Sequence, residues 1–99
     1  MLCDGKLVIV GESALEHGLS AEYIEQMWAS ENVEGFEVGR NPPRESNVIA
    51  IRFVRQPNGI LEMIAEDGID SYYIFHAQLV PEGSETSLLR EAFELYFGL

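Results

Sequence analysis

Three side chains of this sequence could together cleave a phosphodiester bond: Arg52, Tyr72 and His76. Cleavage of RNA needs a base to activate the 2′-hydroxyl, an acid for the leaving oxygen and a cation for the phosphate. The alternation of apolar residues predicts that all three share one face of a sheet. The alternative is structural: Tyr72 and His76 lie at the edge of the core, and Arg52 extends to solvent. The surrounding negative charge favours this structural alternative.

Positive charge is concentrated in one short segment that could bind an anion. Four of the six basic residues lie between Arg40 and Arg55. We expect Arg40 and Arg44 in a loop beside the sheet, and Arg55 on the same strand as Arg52. Arg40, Arg44 and Arg55 are therefore the predicted anion-binding residues.

Other chemistries find little support in the residue spacing. His17 and His76 are the only histidines, and no His-x-x-x-His or Cys-x-x-Cys pattern or calcium loop occurs. Glycine-rich phosphate cradles are also absent, so we expect no metal and no cofactor. Cys3 is the only cysteine, which excludes an intrachain disulfide and predicts a cytoplasmic protein.

The elements that would position these residues form an antiparallel meander. Asn58-Gly59 predicts a type I′ hairpin turn, which would place Arg55 opposite Glu62. Both faces of the sheet are largely apolar, so we expect both to be covered. The strands predicted by alternation are 48–55, 60–66 and 71–80, after a first strand at 7–10.

Helices are predicted before and after this meander in the chain. A single helical turn over residues 13–17 is predicted to end at Gly18. Ser20 is then typical of an N-cap, and the helix that it begins ends near Ser30. Ser84 caps a final helix, whereas the proline-containing segment 31–47 is predicted to be a loop. The sequence therefore predicts one α+β domain over residues 1–99: a small antiparallel β-meander of three to four strands packed with two to three helices.

Charge limits the classes of partner. The chain has 17 acidic and 6 basic residues, a formal net charge of −11. Such a field repels phosphate backbones and attracts basic proteins, so we expect weak RNA binding at most. No apolar run approaches the ~20 residues that span a bilayer, so no membrane partner is expected. We also expect a homodimer, formed through the sheet or the final helix.

Two segments carry a family resemblance: 14–20, which reads Ala-Leu-Glu-His-Gly-Leu-Ser, and 74–77, which reads Ile-Phe-His-Ala. With the helix that contains Ile24 and Trp28, and with the strands around the two turns, they resemble the BrnT-type branch of the RelE-like ribonuclease toxins. The resemblance covers about Ala14 to Gln78. It implies the α+β fold given above and matches His17 to the family's helix histidine, which adds His17 to the candidate catalytic residues.

The chain departs from this family where the family carries positive charge. Glu16 replaces a lysine, Gln78 replaces an arginine, and segment 81–85 replaces a basic stretch. These changes weigh against ribonuclease activity and leave open whether the protein is an enzyme. Two functions follow as expectations. The first is a toxin-like protein of a bacterial toxin–antitoxin system, with an antitoxin as partner. The alternative is a non-enzymatic acidic module that binds a basic protein.

Overall fold

The computed structural model describes residues 1–39 and 48–81. This part of the chain contains six strands, one 3-10 turn and one α-helix. In chain order they are β1 Leu2–Cys3, β2 Lys6–Val10, the 3-10 turn Glu12–Leu15, α1 Ala21–Trp28, β3 Glu34–Gly39, β4 Val48–Gln56, β5 Gly59–Asp67 and β6 Ser71–Pro81. The predicted final helix from Ser84 lies outside the described residues. No helix within the described ranges has the length and apolar character needed to cross a bilayer.

The six strands form one mixed sheet in the order β1-β2-β6-β5-β4-β3. β2 runs parallel to β6, and every other neighbouring pair is antiparallel. The predicted α+β fold, a RelE-like meander of three to four strands with two to three helices, is therefore wrong. The described chain is mostly β-strand with a single α-helix.

Two strands escaped prediction because local sequence does not favour them. β1 is only two residues long and is joined to β2 by Asp4-Gly5, whose φ angles of 55° and 76° fit a type I′ hairpin. β3 contains two glycines, which are depleted in strands, and it forms by pairing with β4 along six residues. A Cβ on Gly35 would lie 2.5 Å from the Ile51 carbonyl oxygen, so this close pairing requires glycine.

The predicted first helix is confirmed. Ser20 is extended and its hydroxyl accepts a hydrogen bond from the Tyr23 amide at 3.1 Å, as an N-cap does. Ile24 and Trp28, one turn apart, are fully buried. They pack on one face of the sheet, which we call the helix face; the other is the second face.

The hairpin between β4 and β5 has a different register from the one predicted. Pro57 and Asn58 form the turn, and Gly59 pairs with Gln56. Arg55 therefore lies opposite Ile60 and not Glu62, which lies opposite Phe53. This is a shift of two residues, and since side chains alternate with period two, every residue keeps its predicted face.

Both faces of the sheet contain buried apolar residues, as predicted. Leu61, Met63 and Ile74 are fully buried on the helix face. Ile49, Ile51 and Ile64 are buried on the second face, where they are at most 4% exposed.

An irregularity in β6 moves one candidate residue to the other face. Ile64 pairs with His76, but the next residue, Ala65, pairs with Ile74, so Phe75 is an extra residue of a β-bulge. Alternation alone would place His76 with Tyr72. The bulge instead places His76 on the second face, and the predicted grouping of Arg52, Tyr72 and His76 on one face is wrong.

Candidate functional site

Arg52 and Tyr72 meet on the helix face, and both contact Asp4. The Arg52 Nη2 atom donates to the Tyr72 hydroxyl at 3.3 Å and to Asp4 Oδ2 at 3.1 Å. The Tyr72 hydroxyl donates to the same carboxylate oxygen at 3.2 Å. Asp4 belongs to the β1–β2 hairpin, and nothing in its local sequence indicated this role because its partners are 48 and 68 residues away.

The remaining contacts of Arg52 join it to α1 and β1. Its Nη1 atom donates to the Trp28 carbonyl oxygen at 2.9 Å and to Cys3 Sγ at 3.4 Å. The guanidinium carbon lies 4.4 Å from the Trp28 ring centroid and 5.0 Å from that of Tyr72. The two terminal nitrogens therefore make four internal hydrogen bonds, and the side chain is only 18% exposed. A phosphate would have to displace these partners.

The protonation states of this cluster do not suit Tyr72 to the role of a general base. Hydrogen bonds from Arg52 and then Tyr72 lower the pKa of Asp4, which keeps its carboxylate ionised. Burial raises the pKa of Tyr72, so its hydroxyl stays protonated at neutral pH. The result is an ion pair with a neutral phenol that holds the carboxylate in place.

A second polar group lies on the same face at the ends of β2, β3 and β5. Lys6 Nζ forms a short ion pair with Asp67 and lies 4.9 Å from the Tyr72 ring centroid. Hydrogen bonding to Asp67 raises the pKa of Lys6 and also that of Glu37. Lys6 and Asp67 are 61 residues apart, so sequence spacing could not have indicated this group.

His17 and His76 meet on the other side of the molecule from Arg52. Their ring centroids are 5.5 Å apart with an interplanar angle of 71°, and His76 Nε2 lies 3.3 Å from Glu62 Oε1. Glu62 is buried, with 1% of its surface exposed. The four candidate catalytic residues therefore form two pairs on opposite faces of the sheet, and one active site cannot contain both pairs.

Only one of the three predicted anion-binding residues lies in the part of the chain that the structure describes. Arg40 and Arg44 lie outside the described residues. Arg55 is exposed at the far end of β4, on the face opposite Arg52. Within residues 1–39 and 48–81, no group of three His, Cys, Asp or Glu side chains is placed to hold a metal ion.

An open cleft of about 330 Å³ lies beside the Arg52 cluster. Asp4 and Arg52 form its polar part, while the end of α1 and the start of β3 form its walls. It is lined by Cys3, Asp4, Trp28, Ala29, Ser30, Val33, Gly35 and Arg52.

No protein family, curated protein or solved structure matches this chain at a significant level. We therefore infer function from the charges and contacts of the chain itself, since a fold does not specify a function.

Proposed function

We propose that this protein is a non-enzymatic interaction module whose acidic surface binds a basic protein. One observation carries the proposal: within residues 1–39 and 48–81, two of the three cationic side chains are held by internal partners, whereas eight of the twelve acidic side chains are exposed. Arg52 is paired with Asp4, and Lys6 is paired with Asp67. In the part of the chain that the structure describes, the exposed acidic residues are Asp4, Glu12, Glu16, Glu22, Glu31, Glu34, Glu37 and Asp70.

The distribution of these carboxylates supports a basic protein partner over a nucleic acid. Glu12, Glu16 and Glu22 lie in the 3-10 turn, just after it and in the first turn of α1, and segment 12–28 contains no lysine or arginine. With a net charge of −11, the chain attracts cationic surfaces over several ångströms and repels phosphate backbones. We place this interaction in the cytoplasm, as the single cysteine predicts.

A salt titration of partner capture tests the proposal. Immobilised protein should retain a basic protein at low ionic strength and release it as salt screens the exposed charges. The triple variant Glu12→Gln, Glu16→Gln and Glu22→Gln should bind several-fold more weakly, with a shallower salt dependence. The matched control replaces the same three residues with aspartate, which keeps the charge and should keep the affinity. Capture that is insensitive to salt, or equal loss in both triple variants, would refute the charge-based proposal.

A second candidate function is the toxin-like protein of a bacterial toxin–antitoxin system. The contact between His17 and His76 favours it, because these two residues come from the two segments that resemble the toxin family. A pair of histidines can supply the base and the acid for RNA cleavage.

Induced expression with a growth readout tests this second candidate. Growth arrest by the wild-type chain that His17→Ala and His76→Ala each abolish would support it. Normal growth, together with intact RNA after incubation at low salt, would eliminate it. Arg52→Ala is a poor variant for this test, since the contacts of Arg52 predict that its loss affects folding.

A further inference from the structure

Large apolar side chains remain exposed in one stripe across three strands of the second face. We call the four residues Leu2, Leu7, Ile9 and Tyr73 the apolar strip. Strand pairing makes them neighbours: Leu2 lies opposite Leu7 on β2, and Ile9 lies opposite Tyr73 on β6. Leu7 and Ile9 are two residues apart, so they point to the same side of the sheet.

The strip is more exposed than the centre of its face. Leu2, Leu7, Ile9 and Tyr73 are 71%, 47%, 38% and 43% exposed, while Ile51 and Ile64 of the same face are buried. The exposed area is of the order of a few hundred Å², the size at which an apolar patch on a protein surface commonly marks an interaction site.

Acidic residues lie at both ends of the strip. The Asp70 carbonyl oxygen accepts a hydrogen bond from the Leu7 amide at 2.9 Å, and Asp70 is exposed. Glu12, also exposed, follows Gly11, where a Cβ would collide with the Tyr73 hydroxyl. Lys6 lies on the helix face, bound to Asp67. The exposed Arg55 is on the second face but at its far end, beside Ile60.

We propose that the apolar strip is the docking surface for the basic partner. The partner's matching surface is an apolar ridge flanked by lysine or arginine. This inference rests on the proposed function and names the surface that performs it. An apolar centre with a charged rim is the usual anatomy of a protein interface. Charge complementarity selects this partner over a second copy of the chain, because two copies would bring together two net charges of −11.

A pair of synthetic peptides tests the docking surface by titration. One is an amphipathic helix with leucine on one face and lysine on the other; the second has the same charge with serine in place of leucine. The wild-type chain should bind the leucine peptide about tenfold more tightly, a difference of about 1.4 kcal/mol. The double variant Ile9→Ser and Tyr73→Ser should abolish this preference and leave binding of the serine peptide unchanged.

The chain offers a matched control. Ile60 is 38% exposed on the second face, the same fraction as Ile9, but lies at the far end of the sheet. Ile60→Ser should keep the tenfold preference. Where the double variant fails to fold, as judged by circular dichroism, Leu7→Ser takes its place and should reduce the preference severalfold.

The outcomes separate this inference from the proposed function. If both peptides bind but Ile60→Ser reduces the preference as much as the strip variants do, the docking surface is refuted and the acidic module stands. If neither peptide binds the wild-type chain at low salt, both proposals fail. Sedimentation that shows a dimer that Ile9→Ser dissociates would overturn the inference, because a second copy would then occupy the strip.

Discussion

On each face of the sheet, residues have a role that differs from the one their type suggests. On the helix face, Arg52 and Tyr72 look like catalytic residues in the sequence, but their polar atoms bond to Asp4, Trp28 and Cys3. On the second face, Leu7 and Ile9 look like ordinary core residues but are left exposed. The comparison shows that the role of a residue depends less on its type than on whether its side chain already has partners within the fold.

The largest expected effect comes from removing Arg52, whose bonds join the β1–β2 hairpin, α1 and β6. Arg52→Ala leaves the Trp28 carbonyl and the Tyr72 hydroxyl without this donor and removes packing on the Trp28 ring. We expect a loss of about 2–3 kcal/mol in the free energy of unfolding, measured by urea denaturation. The matched control is the exposed Arg55→Ala, which should change stability by less than about 0.5 kcal/mol. Equal small effects would mean that the helix face is not tied together by Arg52.

Gly35→Ala should have the next largest effect. The added methyl group would lie 2.5 Å from the Ile51 carbonyl oxygen and 2.9 Å from Arg52 Cγ, so β3 or the arginine must move. Overpacking of this kind costs about 1–3 kcal/mol, seen as a lower midpoint in urea. Gly68→Ala is the control, since its closest contact would be 3.2 Å. No difference between the two variants would show that β3 does not pack tightly on Arg52.

The ion pair of Asp4 with Arg52 predicts a smaller effect on stability, and this effect depends on pH. Its folded-state pKa is lowered from the ordinary value of 3.8, so its stabilising contribution is present above that value and is lost as pH falls through the folded pKa. Since Asp4 is 65% exposed, solvent weakens the contribution. Asp4→Asn should therefore lower stability at neutral pH and flatten its decline in acid. An unchanged pH profile would contradict the role assigned to this carboxylate.

Glu37 should change stability with pH in the opposite direction to Asp4, and its effect should be the smallest of the four. Its folded pKa is raised above 4.5, chiefly through the hydrogen bond with Asp67, so its contribution is present below that pH and is lost as pH rises through the folded pKa. Glu37→Gln keeps a hydrogen-bond donor without the charge and should slightly raise the unfolding midpoint at neutral pH. A lower midpoint would indicate that the ionised carboxylate is the stabilising form.

Local patterns predicted the elements whose cause is local. Ser20 caps α1 through an amide three residues away, and alternation identified β4, β5 and β6. Even the wrong hairpin register preserved each residue's face, because the error of two residues equals the side-chain period.

Features that depend on distant contacts were not predictable from the sequence. The bulge at Phe75 moves His76 to the other face of the sheet, and no residue type in β6 indicates a bulge. β3 has two glycines and becomes a strand only because β4 pairs with it. The carboxylate that pairs with Arg52 belongs to Asp4, 48 residues away in the sequence. Site predictions based on residue type alone therefore joined residues that the fold separates, and missed the carboxylate that it brings in.

The salt dependence of partner capture, compared between the wild-type chain and a His17→Ala/His76→Ala variant, tests the central claim most directly. If exposed carboxylates perform the function, both proteins should retain the same basic partner at low salt and release it over the same range of ionic strength. Retention that persists at high salt, or that is lost in the histidine variant, would contradict the claim.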